Sequence, residues 1–138
     1  CVRSDFVAEA GADSAAGDSV TMNSTGLVWQ NDTTVTTNTQ DWASASSYCA
    51  ALSLDGSTNW RLPSISELET IVDLTVSSRP YINALFSNMV VNGYWSSTAG
   101  ATSRFGTNKA KYVDFYDGIS KENANNYTGY NVRCVRNK

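Results

Sequence analysis

Apolar positions in this chain come in short bursts separated by polar, turn-forming stretches, and the period of each burst predicts an element. Ser19 to Met22 and Leu27 to Gln30 read as short strands, joined by the turn composition Asn23-Ser24-Thr25-Gly26 into a hairpin. From Asp41 the spacing changes: Trp42, Ala45, Cys49 and Leu52 recur every three or four positions, which lines one face of a helix ending near Asp55-Gly56. A second helix is predicted where Ser64 stands three residues ahead of Glu67, just after Pro63, because that spacing lets each side chain cap the other's backbone N–H. Its apolar stripe is Ile65, Leu68, Ile71 and Val72.

Arg79-Pro80 marks a break, and Tyr81 to Val91 reads as a short helix or irregular chain. The last third reads as strands over Tyr94 to Ser97, Lys111 to Tyr116 and Asn131 to Arg136, with Asp117-Gly118 as a hairpin turn leading into Ile119. The Asn-rich stretch Lys121 to Gly129 is too polar for a core strand and is expected to be an exposed loop. Residues 1–18, rich in Ala, Gly, Asp and Ser, read as a linker or N-terminal arm, or the tail of an upstream repeat, with the folded domain over 19–138. Helices in the first half and paired strands at the end make the class α+β, with helices packed on short antiparallel sheets and long polar loops between them.

Composition narrows the setting. The 138 residues are enough for one domain with a real core, and Ser, Thr, Asn and Gly are abundant beside a 41% apolar content, as in a β-rich secreted module. Ten Lys and Arg against 13 Asp and Glu give a net charge of −3, which argues against nucleic acid or an anionic membrane as partner. No apolar run reaches the roughly 18 residues a membrane-spanning segment needs. Three cysteines and no histidine fit an oxidising exterior better than a zinc site. We read Cys49 and Cys134 as a disulfide, which ties the last strand to the first helix. Cys1 is left over, with three readings: a lipidated N-terminus, a bond to another chain, or the end of an upstream repeat echoing Cys134-Val135-Arg136. An accidental boundary is the plain alternative.

Without histidine the chain cannot assemble a Ser–His or Cys–His nucleophile, so no enzyme is expected. No cofactor is expected either, and no metal site, since Asp114, Asp117 and Glu122 lack the spacing of a calcium loop. Trp29, Trp42, Trp60 and Trp95 read as core, whereas Tyr116, Tyr127 and Tyr130 lie beside polar loops. Arg61 and Arg133 read as structural guanidinium groups tying strands or a helix end together. Asn23, Asn31 and Asn126 head Asn-x-Ser/Thr sequences, which matter only in a eukaryotic secretory route.

The ordered motifs Thr25-Gly26-Leu27-Val28-Trp29-Gln30, Tyr48-Cys49, Trp60-Arg61-Leu62-Pro63 with Glu67-Leu68, Tyr94-Trp95-Ser96-Ser97-Thr98, Asp117-Gly118 and Arg133-Cys134-Val135-Arg136 resemble the Lcl C-terminal domain family of bacterial secreted and surface proteins. The resemblance runs from about residue 20 to 136. It implies a C-type-lectin-like fold, shared in outline with formylglycine-generating enzymes and with the variable proteins of diversity-generating retroelements. It also implies a binding module, at the cell surface or outside the cell; the adhesin domain that names the family is associated with trimers and sulfated glycosaminoglycans. This chain's acidity departs from that case.

The candidate ligand surface is Ala99 to Lys111 together with Lys121 to Tyr130. Ser103, Arg104, Asn108, Lys109, Lys111, Asn123, Asn125, Asn126 and Tyr127, with Lys121 beside them, supply the adaptable hydrogen bonding of recognition loops. The alternative is an ordinary solvated surface. The expected partner is a glycan or surface protein, with copies of the same chain, in a filament or other oligomer, as the second reading.

Overall fold

A computed structural model describes residues 12–138. Cys1 and the first part of the predicted arm lie outside the described residues. Two sheets of short strands carry two helices, α1 (Trp42–Ala51) and α2 (Ile65–Glu69), and a 3-10 turn at Thr33–Thr36. The first sheet has the order β1 (Ser14–Ala16), β2 (Ser19–Met22), β3 (Leu27–Gln30), β9 (Val135–Asn137), all antiparallel. The second has the order β4 (Thr39–Gln40), β8 (Tyr130–Asn131), β5 (Gly93–Ala99), β6 (Lys109–Asp114), β7 (Ile119–Ala124). The fold is therefore α+β, as expected, with one departure from purely antiparallel pairing: β5 and β8 run parallel at Tyr94 and Asn131.

The predicted hairpin is β2–β3. Gly26, at a φ of 75°, donates its N–H to the Met22 carbonyl at 2.8 Å, a backbone shape that glycine adopts without a Cβ penalty. β1 adds an exposed edge within the stretch read as an arm. The predicted continuous strand Asn131 to Arg136 is divided between β8 and β9, which lie in different sheets.

Helix α1 starts where Asp41 accepts the Ser44 N–H at 2.9 Å. Its stripe buries Ala45 and Cys49 completely and Trp42 and Leu52 in part. The helix stops at Ala51, four residues short of the expected end, because Leu52 takes an extended backbone (φ −69°, ψ 133°); Asp55 and Gly56, both at positive φ, form the tight Leu54-to-Ser57 turn beyond it. Helix α2 has the full capping box at Ser64 and Glu67 but lasts only five residues, with Ile71 continuing the buried stripe beyond it. Tyr81 to Val91 is irregular.

The pleat of the strands divides the core in two. Tyr94 and Val113 belong to one cluster with Trp29, Leu68, Ile71 and Phe115. Their neighbours Trp95 and Tyr112 belong to the other, with Cys49, Trp60 and Cys134. Alternation places successive residues on opposite faces, so both faces of the second sheet are covered. The Cys49–Cys134 disulfide joins α1 to the stretch between β8 and β9, one residue ahead of β9, with Cα atoms 5.5 Å apart.

Two arginines tie this frame. Arg61 grips Glu67 through Nη1–Oε1 at 2.7 Å and Nη2–Oε2 at 2.8 Å. Arg133 is fully buried, donates to the carbonyls of Gln30 and Asn88, and lies over the Phe86 ring at 4.8 Å. Burial pushes its pKa down to about 10, so it stays charged at neutral pH. Both are structural roles of the kind the sequence predicted.

One element differs from expectation. The strand expected after the Asp117-Gly118 turn is β7, Ile119–Ala124, and it runs on through Lys121 to Ala124, the first part of the predicted loop, paired along its whole length with β6. It is an edge strand, so its polar side chains face water or the hairpin flanks, and no apolar alternation is required of it.

Candidate functional site

The β6–β7 ladder brings the two predicted recognition segments to one end of the second sheet, because Lys109 pairs with Ala124 there. The first segment leaves β5 at Gly100, whose N–H bonds the Lys109 carbonyl at 2.8 Å, and returns through Lys109 N–H to the Ala101 carbonyl at 2.9 Å. Between these pins, Ala101 to Lys109 is exposed at every position. Glu122 accepts the Ala101 N–H at 2.9 Å, and a Cβ on Gly100 would sit 2.8 Å from that carboxylate, so a larger residue there would displace the Glu122 side chain from this bond. The second segment is fixed to the first by Asn125 N–H to the Asn108 carbonyl at 2.9 Å. It is fixed to α1 by Trp42 N–H to the Asn125 carbonyl at 3.0 Å.

The predicted residues separate into three groups. Arg104 and Lys109 are exposed at or beside the first loop, with Lys111 half-buried further along β6. Asn108 and Ser103 serve the loop itself, Asn108 Oδ1 accepting the Ser103 N–H at 2.9 Å. Asn123, Asn125, Asn126 and Tyr127 belong to β7 and the turn after it. Pleating sends Lys109 and Lys111 to one face with Ala124 and Glu122, and Asn123 to the other. These side chains form a rim around the end of the sheet rather than one flat patch. Lys121 stands apart: its ammonium bridges Asp117 at 2.7 Å and Asp114 at 3.0 Å beside the far turn, and Asp117 and then Asp114 hold its pKa well above the usual lysine range.

On the Asn123 face the aromatic residues stack. Tyr112 and Tyr130 lie with ring centroids 4.0 Å apart, Trp95 meets Tyr130 edge-on at 4.9 Å, and Tyr127 caps Tyr130 at 4.5 Å with 44% of its surface exposed. Asn123 Nδ2 donates to the Tyr130 hydroxyl at 3.0 Å. Burial, and then the neighbouring Tyr130 phenol, push the Tyr112 hydroxyl's pKa well up. Tyr130 is thus largely a support, while Tyr127 and Tyr116 are exposed.

Sequence reasoning missed Phe105, which is 94% exposed at the loop tip beside Arg104. Its signal was present, since a lone Phe between Arg and Gly has no apolar partner at strand or helix spacing. Trp42 also differs from its core assignment. Half-buried, it donates Nε1–H to the Ser96 carbonyl at 2.7 Å and lines an open cleft of about 420 Å³ with Ala43, Ser46, Ser47, Leu62 and Ser97.

This end of the molecule can stack rings, accept and donate hydrogen bonds, and present two cations. Both described cysteines are in the disulfide, and among the described residues no three of Cys, Asp and Glu converge as a metal-binding group. No helix among the described residues is long and apolar enough to cross a membrane.

An α+β domain with two sheets, a disulfide-anchored final strand and a loop-bearing sheet end is the class these observations define. Residues 18–136 match the Lcl C-terminal domain, and the chain belongs to that family. No curated protein matches the sequence.

Proposed function

We propose that this domain is a non-catalytic recognition module of a bacterial surface-associated or extracellular protein, binding a glycan or a surface protein through the loops at 100–109 and 124–129. The observation that carries the reading is the Arg104-Phe105 tip: a cation and an almost fully exposed aromatic ring stand on a loop whose base is pinned by backbone hydrogen bonds. Exposed apolar side chains on a rigid support favour recognition, because little conformational freedom is lost on binding. Membership in a family of surface-associated domains supports the setting, and the lack of histidine supports the absence of catalysis.

Glycan-array and immobilised surface-protein binding, run in calcium and in EDTA, tests it. Saturable binding that falls at least about tenfold in Arg104→Ala, Phe105→Ala and Tyr127→Ala is the expected result. Silence across both formats from folded protein overturns it.

A second reading, a structural subunit that packs against its own copies, draws on the other end of the sheet. There Leu74, Tyr116 and Ile119 are each more than half exposed around the Asp117-Gly118 turn. Light scattering over a concentration series separates the two, since a monomer at high concentration removes the subunit reading.

A further inference from the structure

We infer that the cleft between α1 and the end of β5 is a subsite for a neutral saccharide, stacked on Trp42 and hydrogen-bonded by Ser46, Ser47 and Ser97. The inference rests on the reading of the domain as a recognition module and names a ligand class for a place that reading does not use.

Three separate stretches build the cleft: Trp42, Ala43, Ser46 and Ser47 from α1, Leu62 from the segment before α2, and Ser97 from β5. Its volume of about 420 Å³ lies within the roughly 300–1,000 Å³ range of small-ligand sites. The indole is held by its own Nε1–H on the Ser96 carbonyl, and the residue's backbone by its N–H on the Asn125 carbonyl. With its only polar atom already engaged, the ring offers the ligand an apolar π-surface and nothing else.

The three hydroxyls complement that surface. Among the described residues none of Ser46, Ser47 or Ser97 uses its side chain in a hydrogen bond, and all three are exposed. A serine hydroxyl both donates and accepts, which matches a sugar hydroxyl in either role. A pyranose ring presents an apolar C–H face for the indole and polar groups around its edge for the serines.

Charge selects the class. No lining residue is ionisable, and the nearest acid in sequence, Asp41, is engaged by the Ser44 N–H. A sulfated or carboxylated sugar would therefore lose its hydration here without gaining a cation, and the neutral saccharide is favoured. Arg104 and Lys109 lie outside the cleft lining, so an anionic sugar would be drawn to the loop instead.

Indole and amide NMR of the full chain tests this with a panel of neutral gluco-, manno-, galacto- and chito-oligosaccharides, alongside sulfated heparin oligosaccharides. The expected result is a saturable shift of the Trp42 indole N–H with at least one neutral probe. Removing the hydroxyls in Ser46→Ala/Ser47→Ala/Ser97→Ala should weaken that probe about tenfold or more. Alanine at Ser46 and Ser47 on the exposed face of α1 favours the helix, and Ser97 is an exposed position of β5, so the variant keeps its fold. Glu69→Gln, at an exposed position outside both the cleft lining and the loops, should leave the neutral probe's affinity within about twofold, distant sites being additive.

Loop shifts with any probe while the Trp42 indole stays still toward every neutral sugar would overturn the subsite and leave the recognition module standing. Full affinity in the serine variant would overturn it too. Silence of the whole spectrum toward every saccharide would overturn the subsite together with the glycan form of the proposed function.

Discussion

Arg61 and Glu67 form a two-pronged ion pair, and the same Glu67 oxygen that meets Arg61 Nη1 also accepts the Ser64 N–H at 2.8 Å. One carboxylate thus caps α2 and ties it to the strand-like segment that bonds β9 through Arg61 N–H and the Val135 carbonyl at 2.8 Å.

Replacing Glu67 by Ala should cost about 1–2 kcal/mol, mostly through the lost cap, because an ion pair this exposed contributes little by itself. Urea unfolding measures it. Glu67→Gln should retain part of the cap and fall between the two.

Acid should destabilise the domain. Arg61 holds the Glu67 carboxyl below its ordinary value, and Lys121 does the same for Asp117. Each depressed carboxyl contributes stability that is complete above its unfolded pKa and is lost as pH falls through its folded value. Thermal melts from pH 7 down to pH 2 should show a declining Tm below about pH 4.5, with a shallower decline in Glu67→Gln.

Reduction should lower stability sharply. The Cys49–Cys134 bond spans 85 residues, a separation for which the chain-entropy account gives about 4.6 kcal/mol. Melts with and without reductant check the size, and free thiols at both positions in native protein would contradict the bond.

Gly93→Ala should be among the more damaging single-methyl changes. Its Cβ would lie 2.6 Å from Tyr112 Cδ2 and 2.8 Å from Tyr130 Cδ1. Both rings belong to the packed stack, so overpacking of about 1–3 kcal/mol is expected by denaturant unfolding. Because Tyr127 rests on Tyr130, ligand binding at the loops should weaken as well.

Arg133→Lys should destabilise by about 3 kcal/mol or more, although charge is kept. A single ammonium on a linear stem cannot replace the planar fork that reaches both the Gln30 and Asn88 carbonyls while lying over Phe86. Calorimetry gives the loss directly.

Much of this fold was legible because its signals are local. The Ser64–Glu67 box, the Cys49 face of α1 and the Asp117-Gly118 turn each announce themselves within a few residues. The turn announced the start of β7 at Ile119, but its extent through Lys121 to Ala124 was hidden, because an edge strand obtains its order from the neighbour and this stretch carries no apolar period of its own. The loop surface was legible as two segments, but its division by the β6 pleat was not. Nor was the Trp42 cleft, since Trp42 and Ser97 are 55 positions apart and meet only through sheet and helix packing.

The placement of β9 bears on how the domain responds to tension. It is held at its inner edge by β3 and preceded immediately by the bonded Cys134. A pull on the chain at Lys138 can peel away only the few residues after Cys134, Val135 among them; beyond that point the load passes across the covalent sulfur bridge into α1, and residues 50–133 are bypassed. A domain that works while tethered against flow or shear gains from such a stop, because the loops at 100–109 and 124–129 keep their shape while the tether is strained.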